Sequence, residues 1–214
     1  MQSFIEQIKK NFQKPLPGTA AQNKMAHMVR RHYRAAHTDA RKAAVLGLLY
    51  PKGKDWHIVF IERQSSHPGD RHAGQIGFPG GTQEAFDHSI ADTALRETEE
   101  EIGIPRQDIH LLGATTPLYI PVSNFEVFPF MGYLTQYPTF RPQASEVRAI
   151  LEVPISHFSH PDTLKKKDIA ISPNMTLRHV PFYDLQGKTL WGATAMMVSE
   201  MLEMMGFGSA QTGG

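Results

Sequence analysis

The feature that most constrains the fold of this chain is one amphipathic segment, residues 89–102, with clear signals at its end. Gly103 and Pro105 follow it directly, and both residue types commonly terminate helices. Its apolar residues recur at the spacing of one helical face. We therefore predict a helix with one buried face. The residues of that face are Ala91, Leu95, Thr98 and Ile102.

The opposite face of this helix is acidic. Glu97, Glu100 and Glu101 stand at i, i+3 and i+4, so the predicted helix presents three carboxylates together. Carboxylates this close repel one another unless a cation pairs with them, and oxygen ligands favour Mg²⁺ or Mn²⁺. Such a site suits phosphate chemistry. A solvated acidic surface is the alternative interpretation.

The flanking residues favour the metal site over the solvated surface. Phe78-Pro79-Gly80-Gly81 lies upstream in a strand–loop–helix order, and glycines there let the backbone approach a metal or a phosphate closely. Arg96 lies within the helix, where its guanidinium can brace the carboxylates through charge-assisted hydrogen bonds.

Composition narrows the class of protein further. The chain has 214 residues, a formal net charge of +1 and no cysteine. The near-neutral charge gives no indication of nucleic acid or an anionic membrane as a partner, and no apolar run is long enough for a transmembrane helix. The absence of cysteine excludes disulfides and thiolate chemistry. We expect a soluble protein of the cytoplasm.

The remaining pattern predicts a layered α/β domain in which helices pack on a sheet. Predicted strands are 42–50, 56–61, 109–116, 126–134 and 147–153. Predicted helices are 2–13 and 192–205, with a helix or an extended arm at 22–36. We divide the chain into an N-terminal helical extension (1–41), a catalytic domain (42–205) and a flexible tail (206–214).

Three further features have competing interpretations. The run Lys165-Lys166-Lys167 is typical of a solvated turn rather than of a nucleic-acid or membrane site. The methionines of the last helix favour core packing over a partner or acyl-binding surface. These methionines are Met196, Met197, Met201, Met204 and Met205. A homodimer remains open, with the N-terminal helix as one candidate for its interface.

The helix resembles the signature of the Nudix hydrolases, G-x5-E-x7-R-E-U-x-E-E-x-G-U, in which U is a bulky aliphatic residue. The second half matches at Arg96-Glu97, Glu100-Glu101 and Gly103-Ile104. Thr98 replaces an aliphatic residue. The loop before Arg96 is one residue longer than the signature, and Asp87 or His88 lies near the position of the early Glu. The resemblance implies an α/β/α sandwich with a mixed sheet and a catalytic loop–helix–loop.

The longer loop is shared with one Nudix subgroup, the coenzyme A pyrophosphatases. Their upstream motif resembles the stretch from Arg63 through Arg71 and Gly74 to Phe78-Pro79-Gly80-Gly81, although the segment between Arg63 and Gly74 is two residues longer here. The resemblance implies hydrolysis of coenzyme A or acyl-CoA to 3′,5′-ADP and (acyl-)4′-phosphopantetheine. ADP-ribose or a dinucleotide such as NADH is the alternative substrate, and a non-catalytic binding module is the alternative from another class.

The resemblance also implies roles for individual residues. Glu97 and Glu101 would bind Mg²⁺ (or Mn²⁺), with Glu100 as a third ligand or as the residue that positions water. The backbone carbonyl of Gly80 would join the metal, and Arg96 would orient the acidic residues. The general base would be a helix Glu or Glu146 on a later loop. The candidates for substrate binding are Arg63, Arg71, His72 and Gly81.

Overall fold

A computed structural model describes residues 2–28, 36–64, 74–172 and 174–207. This described part contains four α-helices and eleven strands. The helices are α1 (Gln2–Phe12), α2 (Gly18–Gln22), α3 (Ile90–Ile102) and α4 (Gly192–Met204). The strands are β1 (Arg41–Lys52), β2 (Asp55–Arg63), β3 (Ile76–Gly77), β4 (Gly80–Thr82), β5 (His110–Ala114), β6 (Leu118–Ile120), β7 (Phe125–Tyr133), β8 (Val147–Pro154), β9 (Leu164–Ser172), β10 (Met175–Leu185) and β11 (Lys188–Trp191).

The larger sheet is mixed, as predicted. Its main order is β3-β2-β1-β7-β5, with β4 also paired to β1, β6 to β7 and β8 to β2. The central pair β1 and β7 runs parallel, whereas β1 is antiparallel to both β2 and β4. All five predicted strands are present, with ends that differ by a few residues.

The sheet splits between β1 and β2, and this split positions the acidic helix. β2 pairs with the end of β1, whereas β4 pairs with its beginning, where Val45 lies opposite Gly80. Between these pairings, the backbone N–H of Leu46 donates to the carbonyl of Pro79 at 2.9 Å. The chain from Phe78 to Gly80 therefore lies inside the opening, next to α3.

The two faces of this sheet carry separate hydrophobic clusters, which gives the predicted α/β/α sandwich. Leu46, Leu48 and Tyr50 pack with α3 on one face. Phe60 and Leu49 belong to the cluster on the other face, with α1 and α4. All five methionines of the last helix are buried in that second cluster, so core packing is the correct interpretation. They are Met196, Met197, Met201, Met204 and Met205.

A smaller antiparallel sheet, β11-β10-β9, was not predicted from the sequence. The prediction of a turn at the three lysines was wrong, because Lys165-Lys166-Lys167 lies within β9 and pairs with β10 from Val180 to Phe182. The lysine side chains are exposed, as expected. The amino groups of Lys165 and Lys167 bind Asp184 and Thr189 of the neighbouring strands at 2.7 and 2.6 Å.

The N-terminal segment packs onto the domain. Ile5 and Ile8 of α1 are buried in the core. The helix or arm predicted at 22–36 begins earlier as α2, followed by a 3₁₀ turn at Asn23–Met25, and residues 29–35 lie outside the described part. The division at residues 41 and 205 stays a proposal. No helix among the described residues has the length and hydropathy needed to cross a membrane.

Candidate active site

Helix α3 begins and ends as its sequence predicts. The side chain of Ser89 accepts a hydrogen bond from the N–H of Asp92 at 3.1 Å and caps the start of the helix. Gly103 ends it in the left-handed conformation, with φ 71°, and its N–H donates to the carbonyl of Glu99. Thr98 is buried, and its hydroxyl donates to the carbonyl of Ala94 at 2.7 Å, so this departure from the signature leaves no unpaired group.

Arg96 connects the acidic residues of the site through hydrogen bonds. Its Nη1 donates to Glu97 at 2.8 Å and to Glu100 at 3.0 Å, which confirms the predicted brace. Its Nε and Nη2 donate to the two oxygens of Asp87 at 2.8 and 3.0 Å, and Nη2 also donates to the carbonyl of Thr82 at 3.1 Å. A guanidinium has five N–H groups, so every donor of this buried side chain has an acceptor.

Asp87 is a site residue that the sequence analysis noted only as a neighbour of the missing early Glu. Its carboxylate is buried and also accepts the hydroxyl of Thr93 at 2.8 Å and the N–H of Glu84 at 2.9 Å. The hydrogen bonds from Arg96 hold the pKa of Asp87 well below its usual range. The longer loop was the sequence signal for this contact. It places Asp87 one position before that of the early Glu, and from there the side chain still reaches Arg96.

Glu101 is the most buried carboxylate of α3, with 1% of the residue exposed. It lies on the face that the sequence predicts to be acidic, but Gly80 of β4 covers it and donates its N–H to Oε2 at 2.8 Å. Burial raises the pKa of Glu101 to about 7, while Gly80 and then Arg63 oppose that rise and the carboxylates of Glu97 and Glu146 add to it. Ala91 and Leu95 of the predicted buried face are only half-buried.

Glu97 lies under Gly81. A Cβ atom at Gly81 would stand 2.5 Å from the carboxyl carbon of Glu97, so only glycine leaves room for this side chain. Burial raises the pKa of Glu97 in spite of its ion pair with Arg96. Glu100 differs from the other two acids, because 57% of its side chain is exposed and it reaches Arg96 from the solvent side.

Glu97 and Glu101 have the donor chemistry that a divalent cation needs, since both are recessed carboxylates that repel each other and face a glycine backbone. In the present side-chain arrangement of the described residues, no three His, Asp or Glu side chains converge on one point. Arg96 and the N–H of Gly80 instead occupy carboxylate oxygens. Each of these hydrogen bonds involves one oxygen of its carboxylate, so the other oxygen of Glu97 and of Glu101 is left as the donor to a cation.

The loop before β8 brings Glu146 to the site. The N–H groups of Arg141 and Gln143 donate to the carbonyls of Ile102 and Glu101, so the loop is fixed to the last turn of α3. The carbonyl of Glu146 accepts the N–H of Gln64 at 2.8 Å. The Glu146 side chain is exposed, and its charge raises the pKa of both Glu97 and Glu101.

Arg63 lies at the same site, but its Nη1 contacts Glu101 at 3.5 Å. Its side chain is 40% exposed, so Arg63 is in contact with solvent as well as with Glu101. The predicted substrate contacts Arg71 and His72 lie outside the described residues.

A mixed sheet split by a glycine loop, with an arginine-braced pair of glutamates on the adjoining helix, defines the Nudix class. The NUDIX domain model matches residues 40–174, and the chain belongs to the Nudix hydrolase family, whose members are pyrophosphohydrolases.

Individual relatives agree with this assignment. The chain is 34% identical to the protein named "Uncharacterized Nudix hydrolase NudL" of Pectobacterium atrosepticum. The 131 aligned residues cover 61% of this chain and 67% of that protein. It is 29% identical over 202 residues to the protein of the same name from Yersinia pestis, covering 94% and 95%. A solved MutT/nudix family protein from Enterococcus faecalis shares the fold, with a TM-score of 0.52 at 13% identity over 86% of this chain and 71% of that one.

Proposed function

We propose that this Nudix hydrolase uses Mg²⁺ or Mn²⁺ to cleave the pyrophosphate of coenzyme A or acyl-CoA. The products would be 3′,5′-ADP and 4′-phosphopantetheine or its acyl form. The observation that carries the proposal is the recessed pair Glu97 and Glu101 beneath Gly80 and Gly81. The choice of coenzyme A rests on the longer loop and on the upstream Phe78-Pro79-Gly80-Gly81 motif.

In this proposal Glu97 and Glu101 hold the metal, and Glu100 joins it or positions the water. When bound, the cation neutralises phosphate oxygens and acidifies a coordinated water. Glu100 is the acid best able to change partners, because most of its side chain is in solvent. The carbonyl of Gly80 is a further proposed ligand. Arg96 keeps Glu97 in place while Glu100 moves.

The general base is either a helix Glu or Glu146, and the arrangement supports Glu146 as a candidate. Its exposed side chain has no ion pair within the described residues, and its charge raises the pKa of both Glu97 and Glu101. Replacing Glu146 with Gln tests this role. If Glu146 is the base, kcat falls by about 10²–10⁴ while KM changes little.

The proposal is tested with coenzyme A, acetyl-CoA, ADP-ribose and NADH, each with Mg²⁺ or Mn²⁺, and with product identification by liquid chromatography and mass spectrometry. We expect coenzyme A or acetyl-CoA to be the preferred substrate and to yield 3′,5′-ADP. Rapid cleavage of ADP-ribose without turnover of coenzyme A would overturn the substrate assignment. No metal-dependent cleavage of any of the four would favour a binding module.

The metal assignment has its own test in Glu97→Gln. We expect at least about a 10²-fold loss of kcat, because a metal ligand and the charge that anchors it are both lost. Glu99→Gln is the matched control. Glu99 lies on the same helix but pairs with Arg106 at the surface, at 2.8 Å, so its loss should leave activity near wild type. Unchanged metal-dependent hydrolysis in Glu97→Gln would refute the assignment.

A further inference from the structure

The hairpin formed by β9 and β10 has two different halves. Its inner half is packed into the fold, since every residue of β10 from Val180 to Tyr183 is buried. Its outer half, residues 168–172 and 174–179, is exposed at every position except Ile169 and Leu177, which pair with each other and are half-buried. Side chains alternate between the two faces of a strand, so exposure at successive positions means that both faces meet solvent. The outer half therefore projects from the domain.

A β-bulge fixes the outer half where it leaves the fold. A register shift in β10 makes Arg178 and His179 the bulged residues. His179 has a left-handed backbone, with φ 54°, and its N–H donates to the carboxylate of Asp168 at 2.9 Å. The carbonyl of Arg178 accepts a hydrogen bond from Nε2 of His27 at 3.2 Å. Because a left-handed backbone is unfavourable for histidine, these contacts are needed to hold the bulge and the direction of the hairpin.

The end of the projecting hairpin is apolar. Ile171 and Met175 are 40% and 56% exposed, although both are large apolar side chains. They lie on the two strands close to the turn, where Met175 pairs with Ser172. Since both faces of this part meet solvent, the two side chains form a convex apolar surface, here called the apolar tip.

Three cations lie behind the apolar tip. They are Lys166, Lys167 and Arg178, all exposed and without an ion pair in the described part of the chain. Asp168 is the one acid between them in the sequence, and its carboxylate accepts the backbone N–H of His179. The whole chain has a formal net charge of +1, so the excess of positive charge here is local. An apolar tip with cations behind it is complementary to an anionic lipid surface.

We propose that the outer half of the β9–β10 hairpin binds the surface of membranes that contain anionic lipids. Ile171 and Met175 enter the boundary between headgroups and acyl chains, to a depth of about 5–10 Å. Lys167 and Arg178 follow the tip by four and three residues, so they lie about 10–13 Å further back, at the level of the lipid phosphates. The contact is peripheral, and it is independent of which substrate the enzyme cleaves.

The same observations disfavour a second copy of the chain as the partner. The outer edge of β9 has no paired strand in the described residues, but lysines on an edge strand oppose pairing with an identical strand because like charges would meet. A standard protein interface buries about 800 Å² on each partner, and an apolar tip of two side chains offers much less. A fluid lipid layer, in contrast, adapts to a small convex surface.

Vesicle sedimentation measures this binding directly. The wild type is mixed with vesicles of phosphatidylcholine alone or of equal parts phosphatidylcholine and phosphatidylglycerol. We expect about 10–100-fold tighter binding to the anionic vesicles, because each cation near the surface contributes to the attraction. Added salt should weaken the binding by screening. Equal binding to the two kinds of vesicle, or binding to neither, would overturn the proposal.

Two double variants separate the apolar from the charged contribution. One combines Ile171→Ser with Met175→Ser, and the other combines Lys166→Gln with Arg178→Gln. Each should weaken binding to the anionic vesicles by about tenfold or more. All four side chains are exposed, so the melting temperature of each variant should stay close to that of the wild type.

Val122→Ser and Lys54→Gln are the matched controls. Val122 is 91% exposed in the turn before β7, and Lys54 is exposed in the turn between β1 and β2. Both controls should bind vesicles as the wild type does. Binding that survives in both double variants, or that is lost equally in the controls, would refute the assignment to this hairpin. A dimer in lipid-free solution that dissociates in the tip variant, without vesicle binding, would assign the tip to a second copy instead.

The absence of cysteine allows insertion to be measured at a single position. Met175→Cys, labelled with an environment-sensitive fluorophore, should emit at shorter wavelength on anionic vesicles and be quenched by lipids that carry a quencher on the acyl chain. Val122→Cys with the same label should show neither effect. Sedimentation with vesicles without a spectral change at Met175→Cys would mean that charge alone holds the protein there, and would overturn the insertion of the apolar tip.

Discussion

At the scale of single residues, the site depends on how one guanidinium distributes its five donors. Two of them go to Asp87, two to Glu97 and Glu100, and one to the carbonyl of Thr82. Asp87 thereby fixes the plane of Arg96, and that plane fixes the carboxylate of Glu97. Asp87 itself contacts neither Glu97 nor Glu101 in the hydrogen bonds of the described residues, so it acts on the site through Arg96.

Asp87→Asn tests this indirect role. The amide keeps the shape but removes the charge and one acceptor, so Arg96 loses part of its support. We expect a loss of about 1–3 kcal/mol in the free energy of unfolding, which is the usual scale for hydrogen bonds to charged groups. We also expect about a tenfold fall in kcat, because a small displacement of Glu97 suffices for that. Urea unfolding and steady-state kinetics measure the two effects.

Asp55→Asn provides the comparison, because Asp55 is exposed and distant in sequence from α3. It should match the wild type in both measurements. Unchanged kcat in Asp87→Asn, with only stability reduced, would mean that Arg96 orients Glu97 without help from Asp87.

Gly81→Ala separates activity from stability. The added methyl group would collide with the Glu97 carboxylate, at 2.5 Å from its carboxyl carbon, and the end of a flexible side chain can move away at little cost in stability. We expect the melting temperature to change by only a few degrees while kcat falls about 10²-fold, since the displaced carboxylate no longer reaches its position.

Gly77→Ala is the matched control for this change. Gly77 lies four residues earlier, and the nearest atom to its added methyl group is the hydroxyl of Thr194 at 3.9 Å, an ordinary contact. It should remain active. Full activity in Gly81→Ala would show that Glu97 does not need the position beneath Gly81.

The sequence predicted part of this site and missed part of it for a physical reason. The ion pair between Arg96 and Glu100 follows from the i,i+4 spacing of a helix, which is local. The burial of Glu101 depends on β4 lying over the helix, and the sequence of α3 alone contains no sign of that contact. The contact between Asp87 and Arg96 was indicated only by the unexpected length of the loop before Arg96.

At the scale of elements, α3 was the easiest to predict and the small sheet the hardest. Ser89 and Gly103 mark the ends of α3 with residue types that are strongly preferred at those positions. Strand β9 instead contains Lys165-Lys166-Lys167, residues with little preference for strands, and is formed by its pairing with β10. Cross-strand partners are distant in sequence, so a local pattern does not reveal them.

Gly103→Ala tests how α3 is held at its end. Gly103 has a left-handed backbone, and a methyl group there would stand 2.6 Å from the Cβ of Arg141, in the loop that carries Glu146. Backbone strain alone costs about 1 kcal/mol for a non-glycine residue in this conformation. We expect a total loss of about 2–4 kcal/mol in the free energy of unfolding, because the clash adds to the strain.

Gly53→Ala isolates the strain from the clash. Gly53 has nearly the same backbone angle, φ 63°, but no atom lies within 4 Å of its added methyl group. It should cost about 1 kcal/mol. Equal losses for the two substitutions would mean that the loop at Arg141 moves freely, and that α3 does not fix the position of Glu146.

At the scale of the whole molecule, one buried carboxylate joins the N-terminal segment that contains α1 and α2, here called the extension, to the rest of the fold. Glu200 of α4 is fully buried and has no cation among its hydrogen-bond partners in the described residues. It accepts the N–H of Gly18 at 3.0 Å and the side chain of Gln22 at 2.9 Å. It also accepts the hydroxyl of Thr116 at 2.7 Å, in the segment after β5. The sequence could not predict this role, because these partners are 84 to 182 positions away.

Glu200→Gln should therefore loosen the extension and destabilise the fold. The amide turns an N–H₂ group toward donors that need an acceptor, which leaves buried groups unpaired. We expect a loss of about 2–4 kcal/mol in the free energy of unfolding, since several charge-assisted hydrogen bonds are affected together. Hydrogen exchange should increase most in α2 and around Thr116. The values of kcat and KM on the preferred substrate should change little.

Glu203→Gln distinguishes this buried anchor from a surface contact between the same two segments. Glu203 lies one turn further along α4 and pairs with Lys24 at 2.8 Å, with 26% of its side chain exposed. Because surface ion pairs contribute about 0–1 kcal/mol, its substitution should hardly change unfolding or exchange. If the two variants lose the same stability, or if exchange in Glu200→Gln rises uniformly over the molecule, Glu200 does not anchor the extension. A local rise confined to α2 and its contacts would show that Glu200 fixes α2 to the rest of the fold, separately from the apolar packing of α1.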